Sequence, residues 1–244
     1  MIYINHDKKA IFIHIPKTGG SYIGPTLVQY YGFKSYLQLL NKKRPDHDIL
    51  CNTLQFKRIH TNNPLYDNSF FNKMVGILMY CKTSNYLNKE MDMDEDKWKS
   101  YTKFCFIRNP YDRTYSGWKH INIILNKTNS QNSQDNFYNY ISQNKYNVSD
   151  IEYAHVFMNQ KKHIQDERGI CGVNIIGRFE TLEEDFRKIL KQIGFDFIIH
   201  REKKVNVSNI EGKDTLQIDI KTIRRLNELC KEDLETFHYK SLVL

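Results

Sequence analysis

The sequence predicts an α/β fold with three layers, in which helices flank a central, mainly parallel sheet. Short apolar runs rich in β-branched residues, "AIFIHI", "KFCFI" and "VNIIGRF", are typical of buried strands. Each run is followed by a helical pattern of apolar residues, and such alternation is typical of parallel sheets. Because ligands of these sheets bind beyond the carboxyl ends of the strands, the polar loops that follow the strands are the candidate site.

Length and composition favour one globular domain over residues 1–244. Hydrophobic residues make up 40% of the chain and aromatic residues 13%, which is too apolar for a disordered chain. The net charge of +8 favours an anionic partner, whether a nucleotide, a nucleic acid, a sulfated glycan or a membrane surface.

The five cysteines are scattered and form no Cys-x-x-Cys pair. We therefore expect free thiols, with neither disulfides nor a zinc site, as suits a reducing compartment. The first residues lack the apolar core of a signal peptide, and no stretch near 20 apolar residues follows. A cytoplasmic protein without a membrane span is the expectation.

The first strand, at residues 10–15, is ended by Pro16 and followed by the helical pattern "SYIGPTLVQYYGF". Ser21 is predicted to cap this helix and Gly32 to end it. Between strand and helix, glycines allow backbone N–H groups to wrap a tetrahedral anion, and Lys17 adds a cation. This lysine loop (residues 16–22) consists of Pro16, Lys17, Thr18, Gly19, Gly20, Ser21 and Tyr22.

The second strand, "KFCFI" at 103–107, is followed directly by "RNPYDRTYS". We call this stretch the arginine junction (residues 108–116). Asn109 is predicted to cap a helix whose first residue is Pro110, where proline costs no hydrogen bond. Ser116 shares a helix face with Asn109, roughly 10 Å along the axis. A ligand that meets Arg108 and Ser116 therefore passes beside the first turns, and the guanidinium suits a terminal phosphate.

The rest of the chain continues the pattern with less definition. Residues 34–100 are polar and irregular, with a helix predicted at 68–87. Two helices are predicted at 135–144 and 150–160, after a polar loop.

The third strand, at 173–179, precedes an amphipathic helix that a Thr181–Glu184 capping box is predicted to open. One or two further helices are expected over 214–239.

Two motifs resemble one known family. "FIHIPKTGGSYI" resembles the 5′-phosphosulfate loop of sulfotransferases that use 3′-phosphoadenosine 5′-phosphosulfate (PAPS), in the carbohydrate and heparan sulfate 2-O-type branch. "RNPYDR" with Ser116 is similar to the 3′-phosphate motif of that family. The resemblance implies a P-loop-like fold forming a single sulfotransferase-like domain. It also implies PAPS as donor, a carbohydrate hydroxyl as acceptor, and neither a metal nor a specific nucleic acid.

Weaker similarities extend along the chain. "IGRFETLEEDF", "VNVSN" and "DLETFHY" resemble segments that close the nucleotide site in related enzymes. The resemblance places Asn206 and Ser208 near the nucleotide, although "VNVS" also fits an ordinary loop.

Sulfuryl transfer requires in-line positioning, stabilisation of the leaving phosphate and a base for the acceptor hydroxyl. Lys17 suits the second task. By the resemblance, the base lies between the two motifs, where His47 and His60 are the candidate histidines. His47 is preferred because its flanking aspartates can raise its pKa and orient it. Glu90, Glu95 and the aspartates near them are the fallback candidates.

Two other functions are compatible with parts of the pattern. A P-loop kinase or NTPase would place Gly-Lys-Ser/Thr at the end of its loop and an acidic residue after the second strand, but here Lys17 precedes the glycines and Arg108 follows the strand. A non-catalytic protein that binds nucleic acid or anionic glycan is compatible with the basic charge.

Overall fold

The computed structural model describes residues 2–35, 92–93, 95–124, 134–143, 153–165, 170–197 and 218–243. The helix predicted at 68–87 lies outside these ranges. The strands are β1 (Ile2–Asn5), β2 (Ala10–Ile13), β3 (Lys34–Ser35), β4 (Thr102–Ile107) and β5 (Ile175–Arg178). The α-helices are α1 (Gly20–Tyr30), α2 (Glu95–Ser100), α3 (Pro110–Ile124), α4 (Gln134–Ile141), α5 (Leu182–Gln192) and α6 (Ile220–Phe237).

Within the described residues the strands form one sheet in the order β3-β1-β2-β4-β5. β4 runs parallel to both β2 and β5, as the predicted, mainly parallel sheet requires. β2 precedes the lysine loop and β4 precedes the arginine junction. β1 and β3 extend the sheet with antiparallel pairings that the sequence analysis did not predict. A tight turn produces this edge: the Asn5 side chain accepts a hydrogen bond from the Lys8 amide, and Lys9 adopts a left-handed conformation.

Helices cover both faces of the sheet. Alternate residues of β2 point to opposite faces, so Ile11 and Ile13 contact one apolar layer while Phe12 contacts the other. The Phe12 face packs against α1 and α5, and the Ile11 face against α2 and the end of α6. A third apolar cluster joins α3, α4 and α6 beside the sheet. This packing fixes the strand ends from which both polar loops emerge.

The predicted cap of α1 is wrong, and at α5 Thr181 is the N-cap residue, as predicted, but the predicted capping box does not form. α1 is capped by Gly19, whose left-handed φ of 91° leaves Ser21 exposed inside the first turn. At α5 the Thr181 hydroxyl donates to Asp185 (2.9 Å), and Glu184 pairs with Lys188 instead of closing a capping box. The predicted end of α1 is confirmed, because Gly32 has a left-handed φ of 67° just beyond it.

The segment predicted as a helix over 150–160 is broken. Its described part forms a π-helical turn at Tyr153–Phe157 and a 3₁₀ turn at Gln160–His163. At the break, the backbone amides of Gln160 and Lys161 donate hydrogen bonds to the Asp233 carboxylate of α6, at 2.7 and 3.1 Å.

Two further predictions concern the cysteines and the possibility of a membrane span. The cysteines among the described residues, Cys105, Cys171 and Cys230, are free thiols, as predicted. None of the helices in the described ranges combines the length and the apolar character needed to cross a bilayer.

Candidate anion-binding site

The lysine loop and the arginine junction meet at one edge of the sheet. They follow β2 and β4, which are parallel neighbours, so their carboxyl ends lie side by side. The Arg108 guanidinium donates to the Lys17 carbonyl (Nη1 to O, 3.4 Å), and Arg113 Nε donates to the Pro16 carbonyl (3.0 Å). The structure thus brings together the two motifs that the sequence analysis identified separately.

The backbone of the lysine loop leaves the start of α1 open. The amides of Tyr22 and Ile23 both donate to the Gly19 carbonyl, at 2.9 and 3.0 Å. The amides of Gly20 and Ser21 come first in the helix, where no intrahelical acceptor exists. Together with the positive end of the helix dipole, these amides are suited to binding an anion.

Backbone strain marks Lys17 itself. Its φ of 70° lies in the left-handed region, which costs a non-glycine residue on the order of 1–3 kcal/mol and persists where the surroundings hold it. Thr18, which is fully buried, helps to hold it, because its hydroxyl donates to the Ile15 carbonyl (2.9 Å). The Thr18 hydroxyl therefore closes the turn, and this residue has only its backbone to offer a ligand.

Gly20 is required by a close approach of His14. A Cβ atom built on Gly20 would lie 1.9 Å from His14 Nε2. The glycine thus allows the imidazole at the end of β2 to pack against the first turn of α1. His14 therefore lies directly behind the lysine loop.

Three cationic side chains converge on this edge. The pKa of Lys17 is lowered from 10.5 to about 8. Burial is the largest cause, and the positive charges of Arg108 and Arg113 add to it. Arg108 and Arg113 are both 2% exposed, and burial lowers their pKa values too. Mutual repulsion of this kind is relieved by a bound anion.

The backbone of Arg108 is held at both of its polar groups. The Arg108 amide donates to the Gln160 side chain and the Arg108 carbonyl accepts from it, each at 2.8 Å. Gln160 is in turn held by Asp233, and the guanidinium lies over the Phe179 ring at 4.3 Å. Arg108 is thus positioned by β4, the 3₁₀ turn and α6 together.

Arg113 lies in the candidate site, although the sequence analysis did not single it out. Its guanidinium is buried and donates to the carbonyls of Pro16 and Met158, at 3.0 and 2.9 Å. It fastens the lysine loop to α3 while adding positive charge. The sequence contained one signal that could have identified Arg113: it follows Asn109 by four residues and therefore lies on the same face of the helix.

The start of α3 agrees with the prediction. The Asn109 side chain accepts from the Tyr111 amide (3.0 Å), which is the expected cap, and Pro110 is the first helical residue. Ser116 lies two turns further on and is nearly buried. Its role toward a ligand stays a prediction.

An acidic side chain that was not predicted lies at this helix start. Glu180 accepts a hydrogen bond from the Asn109 amide through Oε1 and from the Tyr239 hydroxyl through Oε2, the latter at 3.0 Å. Its negative charge opposes the burial that lowers the pKa of Arg108. A carboxylate therefore lies beside Arg108 at the N-terminus of α3, where an anionic ligand would also be favoured.

The other predicted site residues divide into two groups. The Tyr22 ring packs edge-on against Phe186 of α5, with centroids 6.2 Å apart, so it contributes to packing. The remaining predicted residues lie outside the described residues: His47, His60, Asn206 and Ser208. The fallback Glu90 also lies outside them, and Glu95 is the first residue of α2.

Four histidines that the predicted site did not include lie near the lysine loop. His14 and His163 interact electrostatically with each other and with Arg113, and His120 interacts with Lys17. The His120 and His155 rings lie 5.2 Å apart and 31° from parallel. Within the described ranges, no group of three or more His, Cys, Asp or Glu residues is arranged to hold a metal ion.

Comparison with known proteins adds one positive result. A family model described as "Sulfotransferase family" matches residues 1–240, a span that contains both the lysine loop and the arginine junction. Neither the curated proteins nor the solved structures gave a significant match.

Proposed function

The chain belongs to the sulfotransferase family, and from this we propose that it transfers a sulfuryl group from PAPS to a carbohydrate hydroxyl. Membership supports sulfuryl transfer in general. The finer statement, with PAPS as donor and a glycan as acceptor, rests on the two motifs and on the charge of the site.

The observation that carries the donor is the contact between the lysine loop and the arginine junction. PAPS carries anionic groups on the 3′ and 5′ positions of its ribose. Two cationic side chains, Lys17 and Arg108, lie at one edge of the sheet, where they are suited to these two groups. The open amides at the start of α1 add neutral donors beside Lys17. These residues fit a bisphosphorylated nucleotide.

In the proposed mechanism the lysine loop holds the 5′ end and the arginine junction holds the 3′-phosphate. The donor, when bound, supplies an activated sulfuryl group whose leaving group is a phosphate. Lys17 stabilises the negative charge that grows on that phosphate, since a preorganised cation acts most strongly where charge develops. Arg108 and Ser116 fix the nucleotide, with Asn206 and Ser208 as further proposed contacts.

The affinity for 3′-phosphoadenosine 5′-phosphate (PAP) is expected to fall as the pH rises through about 8. Lys17 loses its proton near this pH in the free protein, whereas a bound anion favours the charged form. Calorimetric titrations between pH 7 and pH 10, where the phosphates stay ionised, measure the effect. In Lys17→Arg the cation persists, so a decline identical to that of the wild type would contradict the assignment to Lys17.

Glu180→Gln is expected to strengthen PAP binding by about threefold to tenfold. The substitution removes a negative charge from the N-terminus of α3 and from the neighbourhood of Arg108, and such a contribution is on the order of 1 kcal/mol. Glu183→Gln is the matched control, because Glu183 lies in the exposed first turn of α5. Equal or weaker binding in Glu180→Gln would show that the carboxylate does not compete with the ligand.

The direct test of the proposed reaction is transfer of radiolabelled sulfate from PAPS to desulfated heparin and chondroitin. Incorporation that requires PAPS and proceeds without Mg²⁺ is expected. Phosphoryl transfer from ATP with Mg²⁺, or binding of polyanions without any binding of PAP, would contradict the proposal and favour the other two functions.

A further inference from the structure

Two histidines with closely packed rings, His120 and His155, lie where the π-helical turn meets the face of α3 that carries Ser116, and Lys17 acts electrostatically on His120. His120 follows Ser116 by four residues, which is one helical turn along the same face. The charge of Lys17 acts on the His120 imidazole. α3 therefore presents the arginine junction at its start and a histidine near the lysine loop further along.

His155 packs against the imidazole of His120. The two rings lie 5.2 Å apart and 31° from parallel, and both side chains are half-buried. The backbone beneath them is packed tightly, because a Cβ atom on Gly117 would lie 2.2 Å from the His155 carbonyl oxygen. The π-helical turn and α3 thus fix His155 against His120.

The other two histidines near the loop are poorly suited to proton transfer. His163 is 4% exposed, so its ring is shielded from any acceptor. His14 lies behind Gly20, and burial together with nearby charges, including those of Lys17 and Arg113, lowers its pKa to about 3. Among the histidines of the described ranges that interact with Lys17, His120 is the more exposed, since it is half-buried whereas His14 lies behind Gly20.

We propose that His120 accepts the proton of the acceptor hydroxyl, and that His155 positions the His120 ring; this rests on the proposed function. In this step the hydroxyl oxygen bonds to sulfur, and its proton passes to a ring nitrogen of His120. The bond between sulfur and the bridging phosphate oxygen breaks, and its electron pair stays on the phosphate beside Lys17. His120 thereby takes the role predicted for His47 or His60.

Donor binding would also prepare His120 for this role. Burial and the charge of Lys17 lower the pKa of His120, so its ring is neutral at neutral pH and ready to accept a proton. An anion bound to Lys17 offsets that charge and makes the ring more basic. The groups that interact electrostatically with the histidine pair are Lys17, which acts on His120, and His14 and His163, each of which interacts with His155.

The first test is a histidine titration by NMR in the presence and absence of PAP. PAP is expected to raise the pKa of His120, and Lys17→Met is expected to raise it without PAP. If PAP binds and the His120 titration does not move, this inference fails while the proposed function stands. If PAP does not bind the wild type, the proposed function itself fails.

The second test is the consumption of PAPS by excess enzyme with glycerol as a simple hydroxyl acceptor. His120→Gln is expected to lower the rate about 100-fold and to remove the acidic limb of the pH profile, with PAP affinity unchanged. His155→Ala should also slow the reaction, and His155→Phe, which restores a stacked ring, should recover it. His238→Gln, at the exposed end of α6, is the control.

Three results in this assay would overturn the proposal. The first is a wild type that consumes PAPS no faster than buffer does. The second is a His120→Gln variant with the wild-type rate and pH profile. The third is a loss of the acidic limb in His47→Gln or His60→Gln instead.

Discussion

Lys17→Met is expected to lower the rate of sulfuryl transfer by about 100-fold to 1000-fold, which is the usual cost of removing one donor that stabilises developing charge. Lys17 lies in a strained, left-handed conformation between two buried arginines, an arrangement that favours an anion over an empty site. The rate with PAPS and a saturating acceptor measures the effect. The loss should appear mainly in kcat, because the charge develops in the transition state.

Stability separates this catalytic role from a structural one. Because Lys17 is repelled by Arg108 and Arg113, Lys17→Met should keep or raise the thermal midpoint of the protein without ligand. Lys188→Met is the matched control, since Lys188 is exposed on α5 and pairs with Glu184. A slow Lys17→Met variant with a lowered midpoint, or one that transfers at the wild-type rate, would contradict the assigned role.

Arg108→Ala is expected to weaken PAP binding by about 100-fold or more. Truncating one partner of a buried, hydrogen-bonded charge pair costs about 2–5 kcal/mol. Arg108 as a whole is 2% exposed; Gln160 holds its backbone, and its guanidinium lies over the Phe179 ring. Calorimetry measures the affinity, and a thermal melt shows whether the variant remains folded.

Arg187→Ala controls for the loss of an arginine as such. Arg187 lies over the Phe197 ring at 4.4 Å, nearly the same cation–aromatic distance as between Arg108 and Phe179, but it lies on α5 and pairs with Glu183. We expect wild-type affinity for PAP in this variant. Equal weakening in both variants would mean that net charge alone holds the nucleotide.

The parts of the fold that local sequence determines were predictable. The strands before both polar loops are short, apolar runs, and the start of α3 follows from Asn109 and Pro110, whose preferences are local. The antiparallel edge was not predictable in this way, because β1 and β3 pair through contacts that sequence periodicity does not encode.

Competition between side chains explains the errors at helix starts. Thr181 and Glu184 match the capping-box pattern, but Asp185 accepts from both the Thr181 hydroxyl and the Arg178 amide, so the box does not form. Similarly, Asp233 of α6 takes the Gln160 amide and interrupts the helix predicted over 150–160. These acceptors become available only when distant elements pack together.

The candidate site likewise contains residues that local sequence identifies and residues that only the packing of distant elements brings together. The Lys17 and Arg108 motifs are contiguous in sequence and could be identified from it. Arg113, Glu180 and His120 come near these motifs only because β2, β4, β5 and α3 converge in the fold. Of the three, only Arg113 and His120 left a trace in the sequence, in the helical spacing after Asn109 and Ser116.

Calorimetric titration of the protein with PAP, beside ATP with Mg²⁺, tests the central claim most directly. The lysine loop and the arginine junction are proposed to hold the two phosphates of one nucleotide. The account predicts micromolar binding of PAP, little binding of ATP, and loss of PAP binding in Arg108→Ala. Absence of PAP binding, or tighter binding of ATP with Mg²⁺, would contradict it.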